Sequence, residues 1–190
     1  MTNESKVHKL KPPLKESDVI RLKIGDRVSI SGIMYGGRDA AHKNMVELLD
    51  KGQQLPVDMR GHIIYYVGPT PAPQGRPIGS AGPTTSGRMD KYAPRLYEYG
   101  VKATVGKGSR SETVVKSLMQ HKALYLIAIG GIGATLAQRI KGAKVVAWPE
   151  LGTEALWEFK VEDFPAIVAN DINGRDVYKE GQKYWAEKLK

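Results

Sequence analysis

Three small hydroxyl residues and an arginine stand together in Gly82-Pro83-Thr84-Thr85-Ser86-Gly87-Arg88-Met89-Asp90. Pro83 fixes its own φ and biases Gly82 toward an extended backbone, while Gly87 tolerates a positive φ or the close approach of a ligand. Thr84, Thr85 or Ser86 can cap a helix predicted over residues 91–99, which leaves free N–H groups aimed at an anion. Arg88 adds a planar fork suited to a carboxylate or a phosphate. The same residues also fit a plain capped helix after a loop.

Two further strand-to-helix junctions repeat the arrangement. Tyr35-Gly36-Gly37-Arg38-Asp39 carries paired glycines, which let a backbone approach something closely, followed by a cation. Asp39 reads as an N-cap or first-turn acid. His42 lies near one helical turn beyond Arg38 and reads as a helix-surface or supporting histidine. Gly106-Lys107-Gly108-Ser109-Arg110-Ser111 is either a basic turn or a second anion-binding helix terminus. It is not a P-loop, because the glycine spacing and the Lys-Ser/Thr ending are absent. Arg38, the Thr84–Arg88 group and Lys107 together suit a small dicarboxylate. Two unit charges 4 Å apart attract by ~4 kcal/mol at an effective dielectric of 20, before desolvation. Cations and hydroxyls make only a binding half-site, since no cysteine and no well-placed carboxylate pair completes it.

The elements that position these groups follow from patterning. Alternation at Val28 and Ile30 predicts a strand over residues 24–34, and Ala41, Met45, Leu48 and Leu49 mark the buried stripe of a helix over 40–49. A glycine-bounded apolar strand spans 61–68, with His62 at its end, and a Pro-rich loop covers 69–77. Short strands are predicted at 101–105, 123–129, 144–148, 155–161 and 164–171, with Trp157 and Phe159 on one face. Helices are predicted near 18–22, 112–121, from 133 to about 141, and from Asp176 onward. Gly130-Gly131-Ile132-Gly133 lacks the third fingerprint glycine of a dinucleotide site, so close strand–helix packing explains it better. Residues 1–17 read as a polar lead-in and residues 18–190 as one domain.

The chain has 190 residues, 41% of them hydrophobic and 26% charged, enough to bury a core without covalent staples. It contains no cysteine, which excludes disulfides, a thiol nucleophile and conventional iron–sulfur ligation by this chain. The net charge of +9 is dispersed, with no block of basic residues, no zinc-finger spacing and no RNP-type strand to argue for nucleic acid. The first residues carry no apolar run of a secretory signal, and a cytoplasmic location is expected.

Gly37-Arg38-Asp39-Ala40-Ala41-His42-Lys43, Gly82-Pro83-Thr84-Thr85-Ser86-Gly87-Arg88-Met89 and Gly106-Lys107-Gly108-Ser109-Arg110 together resemble the β subunit of class I fumarate hydratase. Gly130-Gly131-Ile132-Gly133-Ala134, Glu150-Leu151-Gly152 and the Trp157 strand extend the resemblance over nearly the whole chain. The L-tartrate dehydratase β subunit is similar, although Gly87-Arg88-Met89-Asp90 and Lys107-Gly108-Ser109-Arg110-Ser111 look more like the fumarase side. The resemblance implies an α/β chain of the swivelling β/β/α fold. It implies an α subunit, in a heteromer such as α2β2, that ligates a [4Fe–4S] cluster through its own cysteines. It further implies that fumarate and L-malate interconvert at the subunit interface, with Thr84 as the base at the carbon proton. Arg38, Thr85, Arg88 and Lys107 would hold the substrate carboxylates. A tartrate dehydratase subunit and a non-catalytic anion-binding module remain the alternatives.

Overall fold

The alternation at Val28 and Ile30 turns both side chains into a buried layer of β2 (Arg27–Gly37), the strand on which the architecture closes. The computed structural model describes residues 6–189. β1 (Val7–Leu10) pairs in parallel with β2 at the edge, and α1 (Glu16–Val19) joins the two. After α2 (Asp39–Asp50), parallel pairing runs from β2 to β3 (Ile63–Tyr66), on to β4 (Ala103–Gly106), and then to β5 (Leu124–Ile127). The long β7 (Leu156–Asn170) is antiparallel to β5 on one side and to β2 on the other. Strands β2, β3, β4, β5 and β7 therefore form a closed ring, a mixed barrel-like sheet, with β1 and β6 (Ile140–Ala147) as outriggers. Helices α3 (Ala93–Tyr99) and α4 (Glu112–His121) pack with α2 on the outside, and α5 (Gly133–Ala137) precedes β6. A final helix, α6 (Val177–Lys188), is capped by Asp176, whose carboxylate accepts from Tyr178 N and Lys179 N. This is the swivelling β/β/α arrangement of an α/β domain.

Two apolar layers explain the near-continuous hydrophobic runs of the central strands. Ile63, Tyr65 and Val67 join Val28, Ile30, Met34, Val105, Leu126, Phe159 and Phe164 inside the ring. The intervening Ile64 and Tyr66 face the other way, onto Met45, Leu96, Tyr97, Val114 and Leu118 of the helical layer. Because strand side chains alternate with a period of two, a strand covered on both sides needs apolar residues at every position. Gly36 on β2 leaves room for the Phe159 ring, which a Cβ there would overlap.

Several elements depart from the sequence expectations. The lead-in contains the edge strand β1, where only Leu10 is buried; residues 1–5 of that segment lie outside the described residues. The helix expected to run to about residue 141 is only the five-residue α5, because Ile140 already pairs with Val161 of β7. The two strands expected over 155–161 and 164–171 are one. Asp163, with φ of 49°, bends β7 between them, and Ser29 and Ser31 hold the bend. Ser29 Oγ donates to Asp163 Oδ1 and Asp163 N donates to Ser31 Oγ, both at 2.9 Å. Leu48 is only partly buried on α2, whereas His42 takes a core position with no exposed surface.

Candidate active site

Parallel strands ending on the same side bring the three cationic junctions together. Arg38 follows β2 directly, Lys107 follows β4, and the Thr84 amide donates to the carbonyl of Tyr66, the last residue of β3, at 2.8 Å. Ligands of α/β sheets collect at the carboxyl ends of strands because the chain leaves the sheet there through loops free to specialise.

The Thr84 loop and the Lys107 loop are stitched by backbone. Thr85 and Lys107 form a parallel β-bridge, in which Ser86 N donates to Lys107 O at 2.9 Å and Lys107 N to Thr84 O at 3.2 Å. The loop then makes a 3₁₀ turn over Ser86–Met89, and α3 begins only at Ala93. Thr85 stands at the N-cap position of that turn but makes no side-chain cap hydrogen bond, so the capping hydroxyl expected here is absent and the start is that of a short 3₁₀ turn. Side chains rather than a helix start supply the polarity here. Lys107 likewise precedes α4 by a loop, and the cap of α4 is Ser111, whose Oγ accepts from Val114 N at 3.4 Å.

Arg88 reaches back across its turn. Its Nη2 donates to Thr84 Oγ1 at 2.6 Å and lies 3.3 Å from Asp39 Oδ2. Asp39 stands in the first turn of α2, so this contact draws the Arg38 junction onto the Thr84 loop. Arg38 pairs with Glu154 at 3.1 Å, and the other Glu154 oxygen accepts from Ala40 N at 3.1 Å. Glu154 thereby satisfies a free amide at the start of α2 while holding the Arg38 guanidinium. Gly68, just beyond β3, lies beneath that guanidinium: a Cβ there would approach Arg38 Cζ to 2.7 Å. Arg38 Nε is buried and has no hydrogen-bond partner among the described residues.

Thr84 and Arg38 are half-buried, whereas Thr85, Arg88 and Lys107 are exposed. All five predicted site residues thus occupy one neighbourhood that is open on one side. His42 stands behind it instead of on a surface. Its Nδ1 lies 2.9 Å from the Arg38 carbonyl, and its ring meets Tyr66 edge-on at 5.1 Å. Burial pushes its pKa down to about 4, against a smaller opposing effect of the Arg38 carbonyl. The neutral ring therefore donates from Nδ1 to Arg38 O.

Sequence reasoning assigned no role to Glu154, Tyr125, Asp90 or Arg110. The Tyr125 hydroxyl donates to Gly108 O at 2.7 Å and lies 2.9 Å from Ser86 Oγ. The buried Arg110 pairs with the partly buried Asp90 at 2.7 Å. Both stand inside the motifs already quoted, but no spacing rule links positions so far apart in the chain.

Residues 1–181 match the family described as Fumarase C-terminus. The chain belongs to that family. The fumarase C-terminal domain described here is 43% identical over 175 residues to the anaerobic class I fumarate hydratase of Escherichia coli, covering 90% of this chain and 32% of that protein. It is 41% identical over 177 residues to the aerobic class I enzyme of the same organism, again over 32% of its length. The chain thus spans about a third of the length of these relatives. A Methanocaldococcus jannaschii protein provisionally named L(+)-tartrate dehydratase subunit beta is 38% identical over 182 residues, covering 93% of each chain.

An iron–sulfur cluster finds no donor set here. The sequence has no cysteine, and the described residues contain no group of three or more His, Asp or Glu able to hold a metal ion. No helix among them is long and apolar enough to cross a membrane.

Proposed function

We propose that this chain is the β subunit of a class I fumarate hydratase, supplying the carboxylate-binding half of a site completed by a cluster-bearing α subunit. The observation that carries the reading is the 2.6 Å contact from Arg88 to Thr84 Oγ1 on a loop backed by Lys107, beside Arg38. Such a set suits a dianion whose α-carbon proton must be removed. Identity of 43% to a class I fumarate hydratase supports fumarate as the substrate.

In this reading Arg38, Thr85, Arg88 and Lys107 hold the two carboxylates of malate and fix the carbon proton against Thr84. The Arg88 guanidinium favours the alkoxide form of Thr84 by donating to its oxygen and by placing a positive charge beside it. In the dehydration direction that oxygen takes the proton, the C–H electron pair forms the double bond, and hydroxide departs from the neighbouring carbon. A [4Fe–4S] cluster on the α subunit would supply a Lewis acid for that hydroxyl. The exposure of Thr85, Arg88 and Lys107 fits a surface that another subunit covers. A cytoplasmic location is part of the same proposal.

L-tartrate is the second substrate considered, favoured by the end-to-end match with the Methanocaldococcus jannaschii protein. The deciding experiment is an anaerobic assay of the chain with its cysteine-bearing partner, fumarate and L-tartrate being offered separately. Malate formed only when both chains are present supports the proposal. Turnover of tartrate alone moves the substrate, and inactivity of a cluster-loaded complex on both acids rejects the function.

A further inference from the structure

Behind the open site, and touching none of its exposed cations, lies an arginine with no exposed side-chain surface. Arg110 Nε donates to Asp90 Oδ1 at 2.7 Å, and its Nη1 reaches Thr104 Oγ1 at 3.2 Å and the Tyr66 hydroxyl at 3.4 Å. The guanidinium packs on Tyr125, 4.8 Å from the ring centroid, and on Tyr66 at 5.3 Å. The second Asp90 oxygen accepts from Ser111 N at 2.7 Å. A charge so buried is costly unless geometry and hydrogen bonds compensate it, and a hydrophobic pair often stabilises a fold as well. Stability alone therefore explains the pair poorly.

Its placement suggests a use. Asp90 ends the turn that carries Arg88, two residues earlier, while Arg110 and Ser111 end the loop that carries Lys107. The two loops are already joined at one end by the Thr85–Lys107 bridge. A single bridge leaves the loops free to hinge about it. A second junction at Asp90 fixes the angle between them, and Tyr125 reinforces it by reaching both Ser86 and Gly108. Arg is suited to this because its rigid fork and flat faces can be held by hydrogen bonds and rings together.

We propose that Asp90 and Arg110 are positioning residues, a clamp that sets the spacing between the Thr84–Arg88 arm and the Lys107 arm of the site. The proposal rests on reading those arms as one dicarboxylate site. A clamp of this kind acts on substrate geometry, so loosening it raises KM and lowers kcat per assembled site. A displacement of about 1 Å at a reacting centre costs on the order of 100-fold.

The test uses the complex with the α subunit, comparing Asp90→Asn, which keeps the shape and removes the charge, with Arg110→Lys, which keeps the charge and removes the fork. Both are expected to lower kcat/KM by on the order of 100-fold with a raised KM, and Asp90→Glu to recover part of the loss. Gly61→Ala, just before β3 at the end of the sheet opposite the site, has a φ of 77° and a Cβ that would come within 2.9 Å of Pro13, and it serves as a destabilised control that loses active sites without changing KM. Variants that behave like this control overturn the proposal. If the wild-type complex turns over neither fumarate nor tartrate, the dicarboxylate reading has failed on its own account. The clamp is then read from backbone amide NMR signals of the 190-residue chain. Arg110→Lys should displace the signals of Ser86 and Lys107, and unmoved signals there reject the clamp.

Discussion

Arg88 Nη2 donates to Thr84 Oγ1 at 2.6 Å across a single turn of chain. The geometry makes the Thr84 oxygen an acceptor toward the guanidinium, so its own hydrogen is directed elsewhere. An isolated threonine hydroxyl is a weak base. One that faces a fixed cation, with Lys107 on the adjoining strand end, has a more accessible alkoxide.

The proposed role of Thr84 as the base is tested by removing its hydroxyl. Thr84→Ala should lower kcat of the assembled complex by about 10²–10⁴-fold, the range for losing a positioned acid–base group. Thr84→Ser should retain part of it. Assembly, followed by co-purification, should be unchanged in both, and wild-type kcat in Thr84→Ala would falsify the role of this hydroxyl.

Glu154 holds Arg38 and an amide of α2 at once. Glu154→Gln keeps an acceptor for Ala40 N and removes only the charge that steadies Arg38. For a partly exposed pair the effect should be small, about fivefold at most on KM with kcat little changed. Steady-state kinetics over a range of fumarate concentrations would show it. An unaltered KM means that Glu154 does not orient Arg38 for substrate.

His42 links stability to pH. Its unfolded value of 6.5 falls to about 4 in the fold, so the unfolded chain binds the extra proton first on acidification. The contribution is complete above pH 6.5 and is lost as pH falls toward about 4, a change of roughly 3 kcal/mol. His42→Asn presents an amide N–H to the Arg38 carbonyl without titrating in this window. Urea unfolding at the two ends of the window should show a smaller drop for the variant than for the wild type. Equal drops would mean that other groups carry the acid sensitivity.

Two glycine substitutions should move stability in opposite directions. Gly106→Ala places a methyl against Ser86 Oγ and, at 2.9 Å, against Tyr66 Cδ2, within the bridge between the site loops. A cost of about 1–3 kcal/mol is expected from such overpacking. Gly181→Ala meets nothing within 4 Å and lies inside α6, where alanine should gain about 0.5–1 kcal/mol. Thermal unfolding of the two variants side by side checks the sign of each.

Local order was largely readable from residues. Glu112–His121 forms the predicted helix with Ser111 as its cap, because apolar spacing and a capping hydroxyl are short-range signals. The apolar runs near Ile63 and Leu124 are strands, and Gly100, with φ of 120°, ends α3 as expected. Arg38, Thr84, Thr85, Arg88 and Lys107 were legible as candidates because each follows a glycine-marked break in an apolar pattern, and the family resemblance tied them together. The hydroxyl cap predicted at the Thr84 loop is replaced by an uncapped 3₁₀ turn with Thr85 at its N-cap position, and the strand-like bridge to Lys107 takes the Ser86 and Lys107 amides.

Pairings between distant segments carry no such local signal. The antiparallel closure of β7 onto both β2 and β5, the burial of His42, and the Asp90–Arg110 pair each depend on where unrelated stretches meet. By itself the sequence determined which residues had the chemistry for a carboxylate site and which short elements would carry them. Only the tertiary structure decided that three strand ends point the same way, that acidic side chains steady two of the arginines, and that the ion pair of Asp90 with the buried Arg110 joins the two loops. Periodicity and capping act over a few residues, whereas the side of the ring on which a loop emerges is fixed by the pairing of the whole sheet.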